Sequence, residues 1–238
     1  MRSARQYRQE ILAALQKDLK EELDFIDDMA SEHPKSYQIW HHRQIIIERL
    51  NDPSKEISFI DKMLALDSKN YHAWSYRQWV VSTYNLWDDE IPDIDRLIVE
   101  DIRNNSAWNQ RFFVMSRRPQ GFGEDDIVKE VSYILQKIRL APNNESPWNY
   151  LRGILEFAGK PFDEFPQIED VCRSFEAKAM IVPHALNFLL ELNAQQVQAG
   201  QGERVAECEK ISKQLEEHDP VRKLYWRHRL EQVKAFRN

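Results

Sequence analysis

Two short polar segments of the sequence combine side chains that could bind or stabilise an anionic group. The first segment holds a lysine, a tyrosine and a glutamine, and the second an asparagine, a tyrosine and a histidine. These residues are Lys35, Tyr37, Gln38, Asn70, Tyr71 and His72. Both segments are predicted to begin helices, where free backbone N–H groups favour anions. Taken singly, each residue also fits an ordinary role, such as a surface lysine, a packed tyrosine or a solvated glutamine.

Metal and thiol chemistry on this chain has little support from the sequence. His41 and His42 are adjacent, so their side chains leave a helix in different directions and do not suit a shared metal ion. Cys172 and Cys208 lack the paired cysteine and histidine spacing of a zinc site. We therefore expect two buried helical cysteines and no metal ligands on this chain.

The elements that must position these side chains are repeated along the chain. Trp40, Trp74 and Trp108 are each separated by 34 residues, and Trp148 follows after 40. An arginine follows the tryptophan by three residues in the first three units and by four in the fourth. These arginines are Arg43, Arg77, Arg111 and Arg152. One large aromatic residue per repeat is most often part of the core, and the arginines suit repeat packing or an interface better than catalysis.

Each repeat has the apolar spacing of a helical hairpin. Residues 37–50 and 54–67 carry apolar side chains three and four residues apart, with Asn-Asp-Pro between them. No alternating strand pattern competes. The sequence predicts an all-α fold, a right-handed superhelical solenoid of about 13 helices paired as hairpins in a tetratricopeptide-like superhelix. Because the helix starts of successive repeats face the same side of a solenoid, we expect the two polar segments to lie close together.

One domain over residues 1–238 is predicted. Its repeats are expected near residues 3–32, 37–67, 71–102, 105–140, 145–179 and 183–218, with a terminal helix at 221–236.

Composition excludes several classes of protein. The chain has 238 residues, a net charge of -6, only six glycines and two cysteines. It has neither the GxGxxG nor the GxxxxGK[ST] glycine pattern of common nucleotide-binding loops. The acidic balance disfavours nucleic acid, which requires concentrated lysine and arginine, and no apolar run approaches the ~20 residues that span a bilayer. The start is too charged for a secretory signal peptide, so we expect a cytoplasmic protein.

Five segments together resemble the α-subunit repeat of the protein prenyltransferases. They are PKSYQIWHHRQ (34–44), KNYHAWSYRQWV (69–80), LWDDE (86–90), EDIRNNSAWNQRFFV (100–114) and PNNESPWNYLRGIL (142–155). The last two segments are most similar to the α subunit that farnesyltransferase and geranylgeranyltransferase type I share.

This resemblance implies an enzyme that is active only as a heterodimer. The α subunit wraps a β subunit, and the pair transfers a farnesyl or geranylgeranyl group from its diphosphate to the cysteine thiol of a C-terminal CaaX sequence. The β subunit holds Zn²⁺, Mg²⁺ accompanies the diphosphate, and the β subunit sets lipid length. Substrate proteins would include small GTPases.

The resemblance also implies roles for the polar segments. Lys35, Tyr71 and His72 match residues that act on the diphosphate. For substrate binding, it implies Tyr37 near the isoprenoid and the peptide, Gln38 at the terminal carboxylate of the peptide, and Asn70 beside them.

Two alternatives remain open from the sequence. One is a non-catalytic, tetratricopeptide-like scaffold that binds peptides, although the Lys35, Tyr37, Tyr71 and His72 set has no reason to occur there. The other is the α subunit of Rab geranylgeranyltransferase, which carries the same repeat.

The basic, aromatic segment RKLYWRHRL at 222–230 is expected to be a terminal repeat helix rather than a nucleic-acid site.

Overall fold

The computed structural model describes residues 4–236, and this part of the chain is helical without β-strands. The α-helices are α1 Ala4–Ala14, α2 Leu19–Glu32, α3 Tyr37–Leu50, α4 Glu56–Leu66, α5 Tyr71–Tyr84, α6 Glu90–Glu100, α7 Asn105–Arg117, α8 Glu124–Leu140, α9 Glu145–Ala158, α10 Pro166–Ala177, α11 Pro183–Gln198, α12 Val205–His218 and α13 Lys223–Ala235. Single turns of 3₁₀ helix lie at Phe162–Glu164, Gly202–Arg204 and Pro220–Arg222. The predicted all-α class with about 13 helices is confirmed. None of the described helices is long and apolar enough to cross a membrane.

The chain divides into two compact units, one ending at Arg118 and the other beginning at Pro119. The first unit contains α1 to α7 and all six predicted site residues, and the second contains α8 to α13. The single domain expected over residues 1–238 stays a prediction.

The repeated tryptophans are buried, as the sequence predicts, and each also makes a polar contact. In the first unit, Trp40 Nε1 donates to the carbonyl oxygen of Pro34 (2.8 Å), and Trp74 Nε1 donates to that of Ser68 (2.9 Å). Each indole N–H therefore satisfies a carbonyl just before its own helix. A buried Trp needs such a partner, because its N–H would otherwise lose its hydrogen bond to water.

The same two carbonyls also accept a hydrogen bond from the repeat that follows. Asn70 Nδ2 donates to Pro34 O (3.0 Å), and Asn104 Nδ2 donates to Ser68 O (3.0 Å). The Oδ1 atom of each asparagine caps the helix it precedes, accepting from the backbone N–H two residues later at 3.0 Å for Asn70 and 3.1 Å for Asn104. We call this pair of contacts the asparagine latch, because it joins the start of one helix to the start of the next repeat.

The repeated arginines bind buried glutamates inside the first unit. Arg77, which is 0% exposed, donates through Nε and Nη2 to the two carboxylate oxygens of Glu90 at 2.7 and 2.9 Å. Its Nη1 donates to Asp61 of the preceding hairpin (2.7 Å), and Glu90 also accepts from Gln110 Nε2 of the following helix (2.7 Å). Although burial opposes its charge, the hydrogen bonds to Glu90 raise the pKa of Arg77. One arginine thus ties its own hairpin to the one before it.

An equivalent pair lies one repeat earlier. Arg43 is buried and donates to both oxygens of Glu56 (2.7 and 2.8 Å) and also to Asp27. Glu56 in turn accepts from the hydroxyl of Tyr76 in the next repeat (2.7 Å). The expectation that these arginines serve repeat packing is confirmed for Arg43 and Arg77.

The first described pair of this series joins α1 to α2. Arg8 donates to both oxygens of Glu22 (2.6 and 2.7 Å), and His42 Nε2 contacts Glu22 Oε1 at 2.8 Å. Burial opposes the charge of Glu22, but the hydrogen bonds from Arg8 and His42 hold the pKa of its carboxyl below the usual value.

The second unit contains Trp148 of the repeat series and a further buried tryptophan, Trp226, in α13, and its arginine contact differs from that of Arg43 and Arg77. Trp148 Nε1 donates to Pro142 O (2.8 Å), whereas Trp226 Nε1 donates to the side chain of Asp219 (2.9 Å). Arg152, displaced by one residue in the repeat, pairs with Glu191 of α11. A one-residue shift turns a helical side chain by about 100°, which directs Arg152 to a different helix.

The buried ion pair of Arg77 and Glu90 predicts that substitutions of a buried and an exposed arginine change the stability of the protein by very different amounts. Arg77→Met leaves Glu90 without its cation in the interior, so we expect the free energy of unfolding to fall by ~3–5 kcal/mol. Arg96→Ala removes an exposed arginine that pairs with Asp61 and Glu100, and should cost less than ~1 kcal/mol. Guanidinium denaturation of both variants measures the difference, and equal losses would contradict it.

The asparagine latch predicts a graded loss of stability at position 70. Asn70→Ala removes a helix cap and a hydrogen bond to Pro34, each contributing ~1 kcal/mol, so we expect a loss of ~2 kcal/mol. Asn70→Ser retains a capping oxygen but not the amide donor, and should lose about half as much. Asn104→Ala is the matched control one repeat later, with the same expected loss. An Asn70→Ala variant as stable as the wild type in thermal or chemical denaturation would refute this role.

Candidate functional site

The start of α3 and the start of α5 bring three of the predicted residues together. The ring centroids of Tyr37 and His72 lie 6.5 Å apart, and those of Tyr71 and His72 lie 5.7 Å apart in an edge-on arrangement. Tyr37 is 60% exposed and Tyr71 is 75% exposed. Exposed aromatic side chains that lie together often mark a binding site. We call Tyr37, Tyr71 and His72 the helix-start cluster.

Lys35 precedes this cluster in the chain and carries an exposed ammonium group. Its side chain is 76% exposed, and Nζ lies 3.4 Å from Oδ2 of Asp67. Asp67 belongs to the turn before α5, and Asn70 of that same turn donates to Pro34. The latch therefore holds the backbone next to Lys35 against the turn that leads to Tyr71 and His72.

Gln38 lies in the first turn of α3 on an exposed position, as the sequence predicts for a solvated glutamine. Its Oε1 accepts a hydrogen bond from the hydroxyl of Ser36 (3.1 Å). This contact points the side-chain oxygen back toward the helix start. The amide group is at the surface, where it can reach a ligand carboxylate or water.

Asn70 is the predicted site residue with the strongest structural contacts. It is only 3% exposed, its Oδ1 caps α5 and its Nδ2 binds Pro34 O. Its role in substrate binding stays a prediction. The contacts give it a second role, because it fixes the spacing between the two helix starts that carry the other site residues.

Two residues of the site were not predicted from the sequence. His41 stacks on Tyr37, with ring centroids 5.8 Å apart and planes 9° apart, so it fixes one face of that ring. The spacing of four residues on one helix was the available signal. Asp67 was also missed, although the pattern Asp-x-x-Asn occurs at 67–70 and again at 101–104.

Neither cysteine of the chain belongs to this surface. Among residues 4–236, no three or more His, Cys, Asp or Glu side chains are grouped so that they could hold a metal ion. Cys172 and Cys208 are both buried, as expected, and burial raises their pKa values to about 12 and about 11. Neither thiol is a ready nucleophile at neutral pH, because only the thiolate reacts.

A cleft of about 540 Å³ lies in another part of the first unit. It is bordered by α2 and α4 and lined by charges of both signs, including Lys20, Asp24, Lys55 and Lys62. None of the six predicted residues lines it. The helix-start cluster is instead an open surface, on which a ligand would stay partly exposed to water unless another surface covered it.

Comparison with known proteins identifies the repeat. The family model of the protein prenyltransferase alpha subunit repeat matches residues 19–50, 53–84, 87–118 and 127–158, which together are more than half of the chain. All residues of the helix-start cluster fall within the first two matched repeats.

Two curated relatives carry the same descriptive name, protein farnesyltransferase/geranylgeranyltransferase type-1 subunit alpha. The protein from Solanum lycopersicum is 39% identical over a match of 120 residues, and the match covers 44% of this chain and 35% of that protein. The protein from Dictyostelium discoideum is 35% identical over 115 residues, which is 48% of this chain and 34% of that protein. The matched region thus spans about a third of the length of each relative.

A solved structure supports the same assignment over nearly the whole chain. A chain of the Candida albicans protein geranylgeranyltransferase-I complexed with GGPP superposes with a TM-score of 0.85 at 33% identity. The match covers 96% of this chain and 78% of that chain, and it confirms the predicted class of helical-hairpin solenoid. The repeated tryptophans, the matched repeats and this likeness agree, and this chain belongs to the protein prenyltransferase alpha-subunit repeat family.

Proposed function

We propose that this chain is the α subunit of a heterodimeric CaaX protein prenyltransferase. The enzyme would transfer farnesyl or geranylgeranyl from its diphosphate to a C-terminal cysteine thiol of a substrate protein. The observation that carries the proposal is the set of exposed Lys35, Tyr37 and Tyr71 with half-buried His72 at two adjacent helix starts in a member of this family. The names of the relatives point to the same activity.

The chemistry of the reaction requires stabilisation of a leaving diphosphate. As the bond between C1 of the isoprenoid and the diphosphate oxygen breaks, negative charge builds up on that oxygen. A cation and N–H or O–H donors aimed there bind the transition state more tightly than the ground state, which is the condition for a faster reaction. Lys35 would supply the cation, and Tyr71 and His72 would supply donors beside it. The asparagine latch holds the two helix starts together, so the backbone that carries these groups need not reorganise as the charge develops.

The other exposed residues suit the peptide and the lipid. The ring of Tyr37, which lies near both His41 and His72, offers a flat apolar surface and a hydroxyl at its edge. Such a face fits an isoprenoid chain or the side chains of a bound peptide. The amide of Gln38 can donate to the terminal carboxylate of a CaaX peptide. We propose both residues as substrate-binding groups.

The open surface supports the need for a partner chain. Lys35, Tyr37 and Tyr71 are exposed, so water would surround a substrate bound to them unless a β subunit covered the site. Water weakens electrostatic stabilisation because its dielectric constant is high. A zinc ion held by that β subunit would bind the cysteine of the peptide and favour its thiolate form, and Mg²⁺ would accompany the diphosphate. The residues of this chain would bind and orient the diphosphate and the peptide, in the cytoplasm where CaaX proteins are made. The β subunit would set the choice between farnesyl and geranylgeranyl.

Co-expression tests the proposed function directly. We expect the chain to copurify with a farnesyltransferase or geranylgeranyltransferase type I β subunit and to prenylate a CaaX peptide, and the chain alone to be inactive. The assay pairs each β subunit with both lipid diphosphates and a dansylated peptide. Failure to form a stable heterodimer with either β subunit would refute the proposal. A monomer that binds peptides without transfer would favour the scaffold, and activity only on double-cysteine tails with an escort protein would favour the Rab enzyme.

Lys35 offers the sharpest test of the site. In the heterodimer, Lys35→Ala should slow the single-turnover transfer rate by about a hundredfold, because one charge-stabilising donor is lost at the transition state. Peptide affinity should stay nearly unchanged. Lys69→Ala is the matched control, since Lys69 occupies the same position one repeat later. An unchanged transfer rate in Lys35→Ala, with only weaker binding, would exclude the role.

A further inference from the structure

Asp67 is an acidic residue in contact with Lys35 of the proposed diphosphate site. Its Oδ2 lies 3.4 Å from Lys35 Nζ, and its Oδ1 accepts a hydrogen bond from the backbone N–H of Lys69 (3.1 Å). The carboxylate is therefore fixed by its own turn on one side and faces the ammonium on the other. Asp67 also follows the last residue of α4, and its carbonyl oxygen accepts a hydrogen bond from the backbone N–H of Asn70 (3.0 Å).

The turn that holds Asp67 recurs in the next repeat. Asp101 Oδ1 accepts from the backbone N–H of Arg103 (2.9 Å), and Asn104 N donates to Asp101 O (3.0 Å). The local contacts of the two aspartates are thus alike. Asp67 differs in that its second carboxylate oxygen, Oδ2, faces the ammonium of Lys35. The turn would form without that contact.

The contact between Lys35 and Asp67 suits an ion pair that can be exchanged. Charge-assisted N–H···O bonds are usually ~2.7–2.9 Å long, so 3.4 Å is loose. The lysine is mostly in water, where such pairs contribute little to stability and a more highly charged anion competes well. An incoming diphosphate carries more than one negative charge, so it can take the ammonium from a single carboxylate.

We propose that Asp67 is a positioning residue that holds the Lys35 ammonium at the helix starts and competes with the diphosphate for it. The inference rests on the proposed function, because it assigns Lys35 to the diphosphate. In the free protein, Asp67 limits the directions in which the long lysine side chain can point. When diphosphate arrives, Lys35 moves from the carboxylate to the phosphate oxygens. When inorganic diphosphate must leave, Asp67 is there to accept the ammonium again.

Asp67→Asn isolates the charge of this residue. The amide oxygen still accepts from Lys69 N–H, so the turn is kept while the competing negative charge is lost. We expect inorganic diphosphate to bind Lys35 more tightly in this variant, by about two- to fivefold, which is the range for an exposed ion pair. The shift should shrink as ionic strength rises, because salt screens exposed charges.

Protection of Lys35 from acylation measures this effect at a single residue. The full chain, alone and in the heterodimer, is treated with a limiting N-hydroxysuccinimide ester over a series of inorganic diphosphate concentrations. Mass spectrometry then gives the modified fraction of Lys35 and of Lys69. The half-protecting concentration for Lys35 should fall about two- to fivefold in Asp67→Asn. Asp101→Asn, with the same turn contacts, should leave it unchanged.

The outcomes separate this inference from the proposed function. An equal or higher half-protecting concentration in Asp67→Asn, an equal shift in Asp101→Asn, or no protection of Lys35 in the wild type would each overturn the role of Asp67. A wild-type heterodimer that prenylates normally while protection is unaffected by Asp67→Asn contradicts only this inference. A shifted protection curve in a chain that forms no active heterodimer contradicts only the proposed function. Thermal melts of both variants should match the wild type, which excludes a folding effect.

Discussion

The first unit depends on one interaction, in which a buried guanidinium donates hydrogen bonds to both carboxylate oxygens of a buried glutamate. Arg43 with Glu56 and Arg77 with Glu90 repeat this contact in successive hairpins. Each glutamate also accepts from the helix that follows, through Tyr76 or Gln110. Because an unpaired charge in the interior is strongly destabilising, both helices of a hairpin and the next helix must be in place together. The neighbouring helix starts are positioned as a result.

The charges of the first unit have different roles inside and at the surface. Arg43 and Arg77 are buried and are bound by carboxylates of the chain itself, so they are fixed structural cations. Lys35 is a cation of the opposite kind, because it is exposed and its contact with Asp67 is loose. A ligand can compete for Lys35 but not for Arg77, because displacing Arg77 would also leave Glu90 buried without a cation. Binding at the surface therefore does not disturb the interior.

The sequence predicted the fold well and the site in part, for reasons that individual residues make clear. Spacings of three, four and 34 residues showed the helices and the repeats, since they follow from helix geometry. Tyr37 and His72 were grouped correctly because successive helix starts share a side. The partners of Arg77 and the contact of Asp67 with Lys35 depend on turn lengths and side-chain directions across three helices. No periodicity in the sequence reports these, so the hydrogen bond of Asn70 to Pro34 and the contact of Asp67 with Lys35 could be seen only in the structure.

The asparagine latch has a direction along the chain. The accepting carbonyl belongs to one repeat and the donating amide to the next, as with Pro34 and Asn70. The start of α3 is thus completed by residues that are synthesised after it, and Lys35 acquires its surroundings only when the following turn has formed. Loss of the asparagine of one hairpin would leave the carbonyl at the preceding helix start without this donor. The latch therefore gives the repeats a direction, because the surface at the start of one hairpin depends on the hairpin that follows it in the chain.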